Sequence, residues 1–309
     1  MRVALFGATG FVGSYLIDAL LAAQHVPVVL VRPGSEAKVQ HSDHCITVPG
    51  DIDDAAAIAA TLRDCDAAIY LIGILREDRA AGITFEALQY EGARRCIDAA
   101  KEHGVKRFLL MSANGVCADG TAYQRSKYRA EQYLAQSGLA GTVFRPSVVF
   151  GDPRGRMEFC TQLVEQMIEP PIPAPAFFTG VSPGSGGFEM SPVHVEDVAQ
   201  AFVAALSDER CVGKVFELGG AETLSWPRII KRIAAAAGRR KLVVPAPAIG
   251  VRLACLVFDR FSWFPITRDQ LTMLLEGNEV DSRAAFELLG INERGLSAAT
   301  LTYLTDGGR

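Results

Sequence analysis

Unbalanced charge is nearly absent from this chain. Its 309 residues carry 31 Lys and Arg against 35 Asp and Glu, a formal net charge of −4. With no basic surplus, nothing points to a nucleic acid as partner. Histidine is scarce, at 5, and none stands at a metal-ligand spacing. The 7 cysteines include no C-x-x-C pair, so no metal site is expected. Odd in number and scattered, they read as buried free thiols in a reducing compartment. No run approaches the roughly 18 uncharged apolar residues of a membrane span. The N-terminal stretch superficially resembles a signal peptide, but its glycines and Asp18 interrupt the apolar core. A cytoplasmic protein, at most peripheral to a membrane, is the expectation. Internal repeats and low-complexity tracts are also missing. What the chain has in quantity is apolar side chain, 49% of residues. That is enough to bury a full core in one large domain or two small ones.

The most informative stretch is the first. An apolar run, Arg2 to Phe6, ends in Gly7-Ala-Thr9-Gly10-Phe11-Val12-Gly13 and passes into Tyr15–Ala23, where Leu16, Leu20 and Ala23 form one stripe. Strand, glycine loop and helix in that order form the setting in which such a loop cradles a dinucleotide. Gly7 permits the tight turn, Gly10 lets backbone approach a pyrophosphate, and Gly13 lets helix close on strand. The unpaired N–H groups of the helix start then face the phosphates.

Further along, Val26–Val31 reads as a second strand that ends in the turn Arg32-Pro-Gly-Ser35. This lies about 20 positions past the loop, where an acidic residue would favour NAD. Arg32 stands there instead, with Lys38 close behind, and a guanidinium matches a 2′-phosphate. NADP(H) is therefore the preferred cofactor and NAD(H) the second choice; the plainer reading of Arg32 is a solvated strand-end arginine. Cys45–Val48 is expected as a third strand. Asp51 after it either accepts from the adenine amino group beside Ile52 or serves the turn, with Asp53 or Asp54 capping a helix to Leu62. Ala67–Leu75 is a buried fourth strand whose Gly73, next to Ile72, permits close approach of cofactor. A long helix over Phe85–His103, strand Lys106–Ser112, a helix from Tyr123 to Leu134 and strand Thr142–Arg145 follow. This alternation predicts an α/β fold, a doubly wound parallel sheet over residues 1–150 completed by 194–220. Residues 151–193 and 221–309 are assigned to a smaller lobe. Within it Pro170–Gly187 is too rich in Pro and Gly for regular structure, and the chain from Thr223 reads as helical with a break at Pro245–Pro247.

Tyr123 and Lys127 stand at i and i+4, on one helix face. An ammonium beside a phenol lowers the phenol's pKa, making it an acid or base for a carbonyl or alcohol. The plainer reading is a buried tyrosine and a surface lysine paired with Glu131. Together, Gly7–Gly13, Leu71-Ile72-Gly73, Met111-Ser112-Ala113, Tyr123-x-x-x-Lys127, Arg145-Pro146-Ser-Val148-Val-Phe-Gly151, Pro192–Ala199 and Glu217–Gly220 resemble the atypical extended short-chain dehydrogenases/reductases. Within that superfamily the chain is similar to the branch of the nucleotide-binding accessory subunit of respiratory complex I. The resemblance implies a Rossmann-type fold, cofactor contacts at the glycine loop, Arg32, Asp51, Ile52, Ile72, Gly73, Ser112, Tyr123, Lys127, Pro146 and Val148, and a Tyr123–Lys127 dyad assisted by Ser112.

One departure bears on turnover. Where fully active extended members have a serine at the end of the fifth strand, this chain has Ala113, and Ser112 is one residue short, which in an extended strand turns it to the opposite face. Two functions follow as expectations. One is an NADP(H)-dependent reductase or dehydrogenase acting on an unknown small molecule. The other is a subunit that holds NADPH without turning it over. A sugar-nucleotide epimerase or dehydratase is a third, disfavoured by Ala113. Finally, Ile249, Arg252, Leu253, Leu256, Val257 and Phe261, followed by Ser262-Trp-Phe264, fall at helical spacing. That stripe either packs inside the small lobe or docks on a membrane surface or partner subunit.

Overall fold

The computed structural model describes residues 1–180, 186–258 and 266–306. Its contacts divide the chain into two units. The first comprises Met1–Pro146, Val195–Leu218 and Arg283–Asn292; the second comprises Ser147–His194, Gly219–Ser282 and the chain from Glu293.

The first unit is a Rossmann-type α/β fold. Strands β1 (Arg2–Phe6), β2 (Val26–Val31), β3 (Ile46–Pro49), β4 (Ala67–Tyr70), β5 (Arg107–Met111) and β6 (Ala140–Pro146) are joined by an edge strand, Val215–Leu218. All pair in parallel, in the order Val215–Leu218, β6, β5, β4, β1, β2, β3. Val3, Ala4, Leu5 and Phe6 of β1 are wholly buried, as an interior strand of a sheet covered on both faces must be. Helices α1 (Phe11–Ala22), α2 (Ala55–Leu62), α3 (Gly92–Glu102) and α4 (Ala122–Gln136) follow their strands. α1 packs on helix Val195–Ser207, while α2, α3 and α4 form a separate packed group. The chain reverses direction across the sheet between β1 and β4, which makes the carboxyl ends of those two strands the natural ligand crevice.

Local chemistry sets the helix starts. Asp54 is the N-cap of α2, its carboxylate accepting from the N–H groups of Ala56 and Ala57 at 2.9 and 3.1 Å, a device worth about 1 kcal/mol. Thr121 and Gln124 form a reciprocal capping box at α4. This fixes Tyr123 in the first turn of α4 and Lys127 one turn later.

Several expected boundaries differ. β4 stops at Tyr70, because Leu71–Gly73 leaves the sheet after the Leu71 N–H reaches Phe6 O at 2.9 Å. The expected helix over Phe85–His103 is broken into a π-helical turn, Glu86–Glu91, and α3. Four cysteines are buried, Cys45 and Cys65 half-buried and Cys117 exposed, all as free thiols.

In the second unit Phe150, Leu163, Trp226, Ile229, Ile230 and Ile233 are among the buried core residues. Two stretches expected to lack strands hold a pair. Ala174–Phe178, inside the Pro-rich segment, pairs in parallel with Val243–Pro247 at the expected helix break. Prolines are tolerated because the sheet has only two strands, each of them an edge. Residues 181–185 of the segment lie outside the described residues. So do Phe261 and Ser262-Trp263-Phe264 of the expected docking stripe. The preceding helix, Ala248–Phe258, buries Ala248 and Cys255 and leaves Ile249 and Leu253 exposed.

Candidate functional site

The crevice at the β1/β4 switch is floored by the glycine loop. Gly7 has φ +101°, which only glycine adopts without strain. A Cβ on Gly13 would run into the Gly7 carbonyl oxygen and come within 2.7 Å of Ala8 O. Gly10 is the N-cap of α1, with no side-chain cap bond, and its N–H donates to Gly7 O at 3.1 Å. Phe11, Val12 and Gly13 form the first turn beyond it, and Thr9 is partly buried between. The free N–H groups of that turn make an anion cradle of the kind a pyrophosphate fills. Across the switch, Ile72 N lies only 3.2 Å from where a Gly7 Cβ would sit. Gly73 lies next to the lysine: a Cβ there would stand 3.4 Å from Lys127 Nζ, in ordinary contact.

Arg32 is exposed just past the end of β2. Asp51 is half-buried and one of its oxygens accepts from the Ile52 N–H at 2.6 Å. The turn role therefore uses one carboxylate oxygen. Ile52 itself is buried in the core. Pro146 closes β6, whereas Val148 belongs to the second unit, packed against that unit's core.

A tight recess lies between β4, β5 and α4, lined by Tyr70, Ile72, Gln89, Met111, Ser112 and Lys127. Lys127 is buried, and its Nζ donates to Met111 O at 3.1 Å. The surface-lysine reading is therefore wrong. Glu131, also buried, is taken instead by Arg145 of β6 in a bidentate pair, at 2.9 and 2.6 Å. That pair clamps α4 to the sheet, and Arg145 also meets Glu217 at 3.6 Å. Burial lowers the Lys127 pKa to about 8, with Glu131 opposing the shift.

Two expectations about the dyad are corrected here. The Tyr123 phenol is not lowered: burial pushes its pKa up, with no opposing contribution from Lys127. The reason is geometric, since Lys127 Nζ lies 5.7 Å from the ring centroid and its hydrogen bond goes to Met111 O. The ring is steadied edge-on by Phe85, centroids 5.7 Å apart at 87°. Nor does Ser112 turn away. Its N–H still donates to Phe144 O of β6 at 2.7 Å, and Ser112 lines the same recess as Lys127. Its Oγ is buried and has no hydrogen-bond partner among the described residues.

Gln89 is a site residue that sequence reasoning missed. Its amide accepts from Ser126 Oγ at 2.7 Å and donates to Ile74 O at 2.9 Å. It thereby ties the loop after β4 to α4 beside Lys127. The available signal was a glutamine on a buried helical stripe, four residues from both Phe85 and Ala93. Such a polar residue has to find partners inside.

Comparison with known proteins gives the cofactor class and the fold. A family profile described as NAD(P)H-binding matches residues 7–168. The chain is 30% identical over 250 residues to the mitochondrial NADH dehydrogenase [ubiquinone] 1 alpha subcomplex subunit 9 of Arabidopsis thaliana. That match covers 74% of this chain and 59% of the relative, so the chain spans about three-fifths of the relative's length. Identity to the ceramide reductase of Caulobacter vibrioides is 25% over 271 residues, 84% of this chain and 78% of that one. The solved structure of Thermus thermophilus UDP-glucose 4-epimerase in complex with NAD superposes with a TM-score of 0.72 at 20% identity. It covers 99% of this chain and 98% of that one, a likeness of fold alone.

Proposed function

Because the chain belongs to the NAD(P)H-binding family, we propose that it is an NADP(H)-dependent reductase of the extended short-chain type, acting on a carbonyl or the corresponding alcohol. The observation that carries this reading is the Ser112 hydroxyl. It is buried and unsatisfied in a recess shared with the Lys127 amine. A buried hydroxyl without a partner costs about 1–3 kcal/mol, and a ligand oxygen or amide relieves that cost.

The residues fit the cofactor. Gly7, Gly10 and the first turn of α1 receive the pyrophosphate, Arg32 faces the 2′-phosphate, and Asp51 keeps one oxygen for the adenine side. Lys127, tied to Met111 O, presents its remaining protons to the nicotinamide ribose. When bound, the nicotinamide supplies or accepts the hydride. Tyr123, its phenol held protonated by burial, donates a proton to the carbonyl oxygen as the carbon is reduced. Lys127, mostly charged at neutral pH with its pKa near 8, is held by Met111 O and serves the ribose rather than the phenol. A phenol that stays protonated is in the form a proton donor needs. Ser112 holds the substrate oxygen, a task the family assigns to the position of Ala113.

A second reading, that the protein holds NADPH without turnover, is favoured by Ala113 and by the separation of the Lys127 amine from the phenol. Among the relatives, the Arabidopsis protein is named as a subunit and the Caulobacter protein as a reductase. An epimerase reading gains nothing specific from these residues. The test is to load the protein with NADPH deuterated at C4 and offer a panel of carbonyl compounds. Deuterium in an alcohol product supports the reductase. Slow exchange of bound NADPH with no label transferred across the panel supports the holding role.

A further inference from the structure

The second unit carries a surface that the cofactor crevice does not use. Helix Trp226–Ala236 ends at a turn in which Gly238 has φ +68° and the Arg239 N–H returns to Ala234 O at 2.8 Å. The turn then presents Arg239, Arg240, Lys241 and Leu242 in succession, and Leu242 O accepts from the Ala174 N–H at 2.9 Å. That bond sets the turn beside Pro170-Pro171-Ile172-Pro173. Lys241 Nζ donates to Ile168 O at 3.0 Å and to Pro170 O, fastening the two segments together. Between them lies a cleft of about 470 Å³. Its rim exposes two large aliphatic side chains, Ile172 at 67% and Leu242 at 66%. Three cations surround them against one carboxylate, Glu169, which meets Arg239 at 3.5 Å.

We propose that this rim docks the protein on a bilayer surface carrying anionic lipid. Two exposed aliphatic tips on the rim of one cleft, with Arg239 and Arg240 beside them, match an interface with acyl chains below and phosphates above. The three prolines restrict the backbone around Ile172, so little freedom is lost when it inserts. Against a whole-chain charge of −4, the exposed Arg239 and Arg240 give this rim a local positive charge. The proposed contact is residues 170–173 and 239–242; the stripe expected over residues 249–264 is the alternative that the test addresses.

The test is cosedimentation of the full chain with vesicles of phosphatidylcholine, with and without a quarter phosphatidylglycerol. Binding is expected on the anionic vesicles and should weaken as salt is raised. Arg240→Gln should reduce affinity about fivefold, and Leu242→Asp or Ile172→Asp about tenfold or more. Leu253→Asp, on the neighbouring helix, should change it little. All four side chains are exposed, so melting temperatures should stay at the parent value, which confirms that each variant is folded. No binding to anionic vesicles, or equal binding to neutral ones, overturns the proposal. So does loss of binding in Leu253→Asp while Leu242→Asp still binds, which would return the contact to the helix.

Discussion

Lys127 Nζ lies 5.7 Å from the centre of the Tyr123 ring and gives its hydrogen bond to Met111 O at 3.1 Å. The amine is therefore anchored to β5 before any ligand arrives, and it is buried at a cost. The folded-state pKa near 8 against an ordinary 10.5 measures that cost. Below about pH 8 the lysine is charged in both folded and unfolded chains, and the folded state carries the full penalty. Between about 8 and 10.5 the folded protein releases the proton first, so this group's contribution to stability rises with pH.

Lys127→Met should accordingly stabilise the ligand-free protein at pH 7 by about 2–3 kcal/mol. The gain should shrink toward zero as the pH approaches the ordinary lysine value. The same variant should lose most of its NADPH affinity. Thermal melts at pH 7 and pH 10, with and without NADPH, measure both effects. A variant less stable than the parent at pH 7 would contradict the buried-charge account.

Ser112 and Ala113 can be separated by exchange. Ser112→Ala removes an unsatisfied buried hydroxyl, so the ligand-free protein should be as stable as the parent or slightly more so. Turnover, or NADPH retention if there is no turnover, should drop about tenfold for the loss of one hydrogen bond. Ala113→Ser should have a much smaller effect. Steady-state kinetics on the labelled product and cofactor dissociation rates report the two outcomes; a larger gain from Ala113→Ser would restore the position expected from the family.

The glycines of the loop should fail for different reasons. A methyl group at Gly13 collides with backbone in the ligand-free fold, so Gly13→Ala should cost about 1–3 kcal/mol of stability and abolish NADPH binding. At Gly10 the nearest atom to an added Cβ is Gly7 O at 3.3 Å, a tight but tolerable contact. Gly10→Ala should therefore melt close to the parent and still bind NADPH poorly, because the space it fills belongs to the phosphate. Denaturation curves paired with NADPH fluorescence titrations distinguish the two.

Arg32→Ala tests cofactor choice. Because Arg32 is exposed, its contact with a 2′-phosphate is partly screened, worth about 1–1.5 kcal/mol or roughly tenfold. The substitution should remove about that much preference for NADPH and leave NADH affinity nearly unchanged. Equal affinities for the two cofactors in the parent protein would sink the assignment.

Local chemistry was enough to read the first unit's sheet and glycine loop, and to narrow the cap of α2 to Asp53 or Asp54. Each depends on neighbours within a few residues: apolar runs make buried strands, Gly7 alone tolerates its φ, and Asp54 reaches only its own first turn. Contacts far apart in the chain decided the rest. Ser112 faces the recess because the loop after β4 and helix α4 bring Ile72, Gln89 and Lys127 to the end of β5. The Tyr123 pKa rises rather than falls because burial outweighs an amine that Met111 O has already engaged. Ala174–Phe178 and Val243–Pro247 are strands despite their prolines because each supplies the other's edge from some 70 residues away. Periodicity reports which side of an element is apolar. Only the folded chain decides which polar atom meets which, and at this site those meetings set the chemistry.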